Sequence, residues 1–274
     1  EDLDVEVRHG SATDVVDDNG FDLVLCIGVL EYAGHEPDRF LAHLAGLVRP
    51  GGALVVAIEN RFGLAYWLQA DEDHLGLPFV GLEGYPPVAA TGATATVRTF
   101  SRPELAGHLT AAGLTAQRWY QPFPDYKLPT TVLTDRCYDQ PDAVDLVDQL
   151  VGPPIDRSRM GGRVSADERA IHRQVVGAGH GADMANSFLV VAATDDTALD
   201  RRSDGDALAW RFTGDRRRAH LRVRRLTDDG VRRIDRRATH LVDTATGDDR
   251  WLVLRSPGGA TDDYTPGPNL EQVA

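Results

Sequence analysis

The sequence predicts an α/β fold: part of a doubly wound sheet over residues 1–194, a polar linker at 195–206, and the start of a second, mostly β unit over 207–274. Three observations predict it. Two continuous apolar runs, at 21–27 and 53–58, have the pattern of strands buried on both faces of a parallel sheet. Between them Phe40, Leu41, Leu44, Leu47 and Val48 recur at helical spacing, and Pro50-Gly-Gly52 stops the helix. Beyond residue 206 the apolar period shortens to two.

Each element follows in order. Val5-Glu-Val7 is a short strand candidate that ends in Arg8-His-Gly-Ser-Ala12. The strand at 21–27, the helix at 36–48 and the strand at 53–58 form a βαβ unit, for which a right-handed crossover is nearly obligatory. Ser101-Arg-Pro-Glu104 is a capping box, in which hydroxyl and carboxylate satisfy N–H groups at a helix start, and Gly113 ends that helix. Residues 116–120 and 187–193 read as paired strands, separated by an excursion at 121–186 rich in Pro, Gly and charge. Within it, Gly177-Ala-Gly-His-Gly181 resembles a phosphate loop, but a helix precedes it and a strand follows, the reverse of the order such a loop needs. It is read as a plain loop. Leu221 and Val223 alternate with Arg222 and Arg224, and Asp228-Asp-Gly230 turns the chain into Val231-Arg-Arg-Ile234, a hairpin signature. Trp251-Leu-Val-Leu254 is a further strand, and Gly267-Pro-Asn-Leu-Glu271 starts a helix.

Composition excludes several functions. A net charge of −13 over 274 residues opposes general nucleic-acid binding, which needs clustered Lys and Arg against phosphates. The arginines at 216–218, 222, 224, 225, 232, 233, 236 and 237 are interleaved with aspartates and read as a solvated β surface. Two cysteines, Cys26 and Cys137, offer neither a disulfide framework nor a Cys-rich metal site, which fits a reducing, cytoplasmic compartment. No apolar run approaches the ~20 residues of a membrane span. The histidines show no metal-ligand spacing, so no metal site is expected. Lys127 is the sole lysine.

Three segments in fixed order carry a family resemblance: Gly10-Ser-Ala12, Phe21-Asp-Leu-Val24 and Val48-Arg-Pro-Gly-Gly52. They resemble the adenine turn, fourth strand and entry to the fifth strand of class I S-adenosylmethionine-dependent methyltransferases. The resemblance implies a Rossmann-like sheet in the order 3-2-1-4-5-7-6 with an antiparallel last strand, S-adenosylmethionine as cofactor, and methyl transfer as activity. It also implies that the first two strands, with the Gly-rich loop and the ribose-binding acid, lie roughly 50 to 80 residues upstream. A narrower set, Ile58-Glu-Asn-Arg-Phe-Gly-Leu-Ala-Tyr-Trp67, Asp71-Glu-Asp-His74, Gly81-Leu-Glu-Gly-Tyr-Pro86, Arg98-Thr-Phe-Ser-Arg102 and Pro122-Phe-Pro-Asp-Tyr-Lys-Leu-Pro129, resembles modules fused to other domains in surface-polysaccharide pathways. That set implies a carbohydrate-linked or other small polar acceptor, and membrane-associated polysaccharide machinery as a partner.

The site follows from these assignments. On the cofactor side stand Ser11 and Ala12 of the adenine turn, with Cys26, Ile27, Gly28 and Leu30 at the end of the fourth strand; Cys26 and Ile27 equally suit a core. Glu59, Asn60 and Arg61 end the fifth strand, where open α/β sheets place ligands. His74 is the candidate general base, since imidazole titrates near neutrality and Asp71, Glu72 and Asp73 flank it, and Glu59 is its catalytic companion. Asn60, Arg61, Tyr66, Trp67 and Arg98 are the acceptor-binding candidates, against the plainer readings of helix capping, an apolar helix face and surface ion pairs. Two rival functions remain: a dinucleotide-dependent oxidoreductase, and a non-catalytic scaffold of a polysaccharide-assembly protein. An antiparallel last strand beside the fifth would favour the methyltransferase over the oxidoreductase.

Overall fold

The structure, a computed structural model, describes residues 5–86, 96–155, 166–203, 205–213, 221–228, 232–241, 254–255 and 261–263. Strand β1 (Phe21–Ile27) leads through a 3₁₀ turn (Leu30–Ala33) and helix α1 (Pro37–Gly46) into the long strand β2 (Val48–Glu59). β1 and β2 pair in parallel, the βαβ unit expected from the apolar runs. Their register jumps from Phe21 opposite Val48 to Leu23 opposite Ala53. The Pro-Gly-Gly segment occupies that jump, and a Cβ on Gly52 would lie 2.8 Å from the Asp22 carbonyl oxygen. Only glycine lets the two backbones approach so closely.

After the short α2 (Leu64–Trp67), helix α3 (Arg102–Ala111) starts at the expected capping box: Ser101 Oγ and its N–H both donate to Glu104 Oε2, at 2.7 and 2.8 Å. Strands β3 (Ala116–Phe123) and β4 (Thr131–Thr134) follow, then helices α4 (Asp135–Tyr138), α5 (Ala143–Val151) and α6 (Glu168–Gly177), and strand β5 (Ser187–Ala193). β5 inserts between β2 and β3 and runs antiparallel to both. The order β1-β2-β5-β3 is therefore 4-5-7-6 of the expected sheet, with its antiparallel last strand in place. The Gly177–Gly181 stretch lies where α6 ends, before β5, as a loop.

The first core lies on one face of this sheet. Cys26, Leu54, Val56 and Ile58 pack there against Leu41 and Leu44 of α1 and Leu105 and Leu109 of α3. The other face is covered by α7 (Asp196–Arg202), whose Ala198 and Leu199 meet Ala53, Val191 and Ala193. Helix α7 falls within the segment read as a linker; Asp195 caps it by accepting from the Ala198 N–H. Its apolar cover stops short of β1, which α7 meets through Arg202 at Asp22. Phe21, Leu23, Leu25 and Ile27 are 40%, 45%, 62% and 44% exposed, so β1 is buried on one face and not on two. The apolar run cannot report whether a second layer lies over it. The strand expected at Val5-Glu-Val7 is likewise not formed, and both valines are exposed.

Beyond β3 the sheet continues. β6 (Ala207–Thr213) pairs antiparallel with β4, then β7 (Leu221–Asp228) with β6, and β8 (Arg232–Leu241) with β7, the last pair being the expected hairpin. A second core gathers Phe123, Leu133, Leu146, Val147 and Leu208 beneath α5. Leu254 lies in a two-residue strand on β8; Arg216 to Arg218 and the helix start at 267–271 lie outside the described residues. Among the described residues no helix is long and apolar enough to cross a membrane.

Candidate active site

The site forms where β1 and β2 end together. Gly28, at the end of β1, donates its N–H to the Ala57 carbonyl and adopts φ +62°, a conformation suited to glycine. That geometry turns the chain so that Leu30 plugs the core while Glu31 faces the end of β2. Glu31 and Glu59 are each 1% exposed. With His74 they offer one ligand or acceptor atom apiece, all within 4.8 Å of one another.

Contacts from five residues hold this cluster. The Arg98 N–H donates to the Glu31 carbonyl oxygen at 3.0 Å, fixing the 3₁₀ turn. Glu72, itself buried, accepts the N–H groups of His74 and Leu75 through Oε2, at 2.9 and 2.7 Å, fixing the His74 loop. His74 Nδ1 meets Tyr32 Oη at 3.3 Å, and the two rings pack edge to face. Lys127, from the loop between β3 and β4, brings its ammonium to 2.5 Å from both Glu59 Oε1 and Asp73 Oδ2. Tyr126 beside it donates its hydroxyl to Glu31 Oε1 at 3.5 Å and covers Gly28, where a Cβ would lie 2.7 Å from Tyr126 Oη.

The two glutamates are driven apart electrostatically. Burial, and then the neighbouring Glu59 carboxylate, push Glu31 up to about 8. Burial would push Glu59 up too, but the Lys127 ammonium overcomes it and holds that carboxyl below the usual range. Near neutrality the pair therefore holds one proton, mainly on Glu31, beside an ionised Glu59.

The structure thus brings together Glu59 and His74, the two residues expected to be catalytic. The carboxylates around His74 differ from expectation: Asp73 turns to Lys127 and Glu72 to backbone N–H groups, and the imidazole faces Glu31 and Glu59. Gly28 stands at the cluster. Cys26 and Leu30 lie in the core, where burial pushes the Cys26 thiol up to about 12, while Ile27 points to the bare face. Ser11 caps the 3₁₀ turn Ala12–Asp14, and Ala12 offers its carbonyl to His43 Nε2 at 3.0 Å beside a cleft lined by Thr13, Ala33, Phe40 and His43.

Of the acceptor-side candidates, Asn60 is fully buried. Its amide donates to the Asp183 and Ala185 carbonyls at 2.7 Å each and accepts from the Phe62 N–H, so it pins the approach to β5 and presents nothing to a ligand. Arg61 pairs with Glu104 at 2.9 Å, locking the β2 exit to the start of α3. Tyr66 packs in a small core with Leu64, Ala70 and Ile155; Trp67 is 52% exposed and lies against Phe62. Arg98 acts through its backbone on Glu31 and lays its guanidinium over the Tyr85 ring. Sequence reasoning missed Glu31, Tyr32, Tyr126 and Lys127. The signals were present, since Glu31 and Tyr32 lie in the loop after β1, and Tyr126 and Lys127 lie in Pro122-Phe-Pro-Asp-Tyr-Lys-Leu-Pro129.

Residues 1–56 match the family model described as a methyltransferase domain. A ubiquinone biosynthesis O-methyltransferase of Maricaulis maris is 38% identical over 68 residues, which are 24% of this chain and 26% of that protein. The chain thus spans about a quarter of the length of the curated relative it matches. Among solved structures, an S-adenosylmethionine-dependent methyltransferase of Thermotoga maritima is 16% identical over 70% of this chain and 65% of its own, with a TM-score of 0.36. A phosphoethanolamine N-methyltransferase of Haemonchus contortus is 9% identical over 65% and 34%, with a TM-score of 0.28.

Proposed function

We propose that this chain, whose N-terminal segment is that of a class I S-adenosylmethionine-dependent methyltransferase, builds the acceptor side of a methyl-transfer site for a hydroxyl on a small polar, carbohydrate-linked acceptor. The observation that carries the reading is the Glu31–Glu59–His74 cluster, with two buried carboxyl groups and a half-buried imidazole, at the joint carboxyl ends of β1 and β2. In an open α/β sheet that is where ligands bind.

The residues present fit one side of the cofactor. Gly28 ends β1 half-buried under Tyr126, and the cleft beside the Ala12–Asp14 turn, lined by Ala33 and Phe40 together with Glu36 and Arg39, suits a flat ring with polar substituents. S-adenosylmethionine, when bound, supplies an electrophilic methyl group on a sulfonium. The chain supplies a proton acceptor and alignment. In the tautomer that donates its Nδ1 proton to Tyr32 Oη, His74 keeps a free lone pair on the buried Nε2, which takes the proton of the acceptor hydroxyl. The ionised Glu59, poised within 4.8 Å, stabilises the imidazolium that forms. Lys127 keeps Glu59 ionised for that role. The polar surroundings and the motifs shared with polysaccharide-pathway modules support a sugar-linked acceptor, and a place in the cytoplasm beside polysaccharide-assembly machinery belongs to the same reading.

The test is methyl transfer from methyl-labelled S-adenosylmethionine by the full-length protein to a panel of sugar-linked and other small hydroxyl acceptors. Labelled, alkali-stable product that disappears in His74→Gln is expected. Binding of a nicotinamide dinucleotide in place of S-adenosylmethionine would refute the reading in favour of an oxidoreductase, and binding of neither would leave a scaffold.

A further inference from the structure

The Glu31–Glu59 pair is buried with carboxyl oxygens that no other side chain or backbone group among the described residues serves. Both side chains are 1% exposed, yet Glu31 Oε2 and Glu59 Oε2 have no hydrogen-bond donor. Ionised carboxylate oxygens removed from water without a donor are costly, so a proton or a cation must lie between them. Among the described residues the cation paired with Glu59 is Lys127, and it is divided between Glu59 Oε1 and Asp73 Oδ2. The proton that the pair holds near neutrality lies where a cation can replace it. A divalent cation displacing that proton would leave both glutamates ionised as ligands.

The third group is not acidic. His74 Nε2 is buried and without a partner, while Nδ1 meets Tyr32. A ring nitrogen held by a hydrogen bond on one side, with the other lone pair free, is how histidines are oriented toward metals. Glu31 Oε, Glu59 Oε and a His74 nitrogen all lie within 4.8 Å of one another. Three ligands of one ion at about 2.0–2.2 Å stand about 3.0–3.8 Å from one another, so closing by about 1–2 Å at most completes a first shell. The ligands sit on three anchored segments: the 3₁₀ turn tied by Arg98, the end of β2, and the loop tied by Glu72.

We propose that Glu31, Glu59 and His74 form a binding site for a divalent transition cation. Two carboxylates and one imidazole suit Mn²⁺ or Zn²⁺, with open positions left for oxygen ligands. The spacing of the histidines gave no hint of it, because each ligand comes from a different segment. Binding stands independently of methyl transfer.

The experiment is titration of chelator-treated full-length protein with Mn²⁺, following the electron paramagnetic resonance signal of the free ion, with Zn²⁺ as competitor. Removal of one equivalent of Mn²⁺ per chain, reversed by Zn²⁺ and weakened at least about tenfold in both Glu31→Gln and His74→Ala, is expected. Thermal melts of the two variants check that they are folded. Retention of the free signal, or binding undiminished in both folded variants, overturns the proposal. Mn²⁺ binding without methyl transfer would leave the site standing and sink the activity; methyl transfer without Mn²⁺ binding would do the opposite.

Discussion

Replacing Lys127 by methionine removes the charge that keeps Glu59 ionised at the end of β2. The ion pair is asymmetric: the Glu59 side chain is 1% exposed and that of Lys127 is 48% exposed. Breaking a fully buried pair costs about 3–5 kcal/mol, and an exposed pair is worth at most about 1 kcal/mol. Solvent screens the lysine half, and Glu59 can take up a proton once its partner is gone, so a loss of about 1–3 kcal/mol is expected. Part of that loss belongs to the pair and part to the packing of the lysine stem. A double-mutant cycle with Glu59→Gln separates them. Urea unfolding of the four proteins at pH 7 should give a coupling of about 1–2 kcal/mol, with Lys127→Met costing far less once Glu59 is already Gln. Lysine-directed acylation gives an independent reading. Lys127 is the sole lysine, so side-chain labelling reports on this ammonium alone, and it should quicken in Glu59→Gln. Additive stabilities within about 0.3 kcal/mol, together with an unchanged labelling rate, would refute the account of the pair.

Three further outcomes follow from buried groups. Asn60→Ala removes the amide that serves the Asp183 and Ala185 carbonyls and the Phe62 N–H; a loss of about 2–4 kcal/mol in urea unfolding is expected, and a change confined to KM would contradict its structural role. Leu54→Ala, at a fully buried core position between α1 and α3, should cost about 2–5 kcal/mol in the same assay. Burial lowers His172 to about 4, against the small opposing effect of Asp148. The unfolded chain then binds this proton more readily than the folded one, so stability is full above about 6.5 and falls by up to about 3 kcal/mol as pH drops through about 4. Unfolding free energies measured between those limits should lose that slope in His172→Leu; an identical slope would assign the acid sensitivity elsewhere.

Much of the fold was legible because local signals and tertiary structure agree. The apolar runs of β1 and β2, the helical spacing of α1 and the Ser101–Glu104 box each specify an element without reference to distant residues. What failed was information about layers. The run Phe21–Ile27 reads as doubly buried, but the apolar residues of α7 pack on β2, β3 and β5, and α7 meets β1 through the Arg202–Asp22 ion pair. Helix α7 itself escaped notice because Ala198 and Leu199 are its only buried residues amid Asp and Arg. The site was half legible for a related reason. Glu59 and His74 stand out beside an apolar strand and an acidic loop, whereas Lys127 reaches Glu59 across a large sequence separation that no periodicity marks. Asn60 misled because a polar residue ending a strand serves a ligand or a neighbouring backbone equally well, and here the backbone claims it.

The central claim is that the cluster at the ends of β1 and β2 drives methyl transfer. Its most direct test is steady-state kinetics of the full-length protein with His74→Gln, alongside calorimetric titration of S-adenosylhomocysteine. Loss of the group that takes or controls the acceptor proton should lower kcat by about 10²–10⁴-fold while cofactor affinity stays within about twofold. An unaltered kcat in a folded variant that still binds S-adenosylhomocysteine would contradict it.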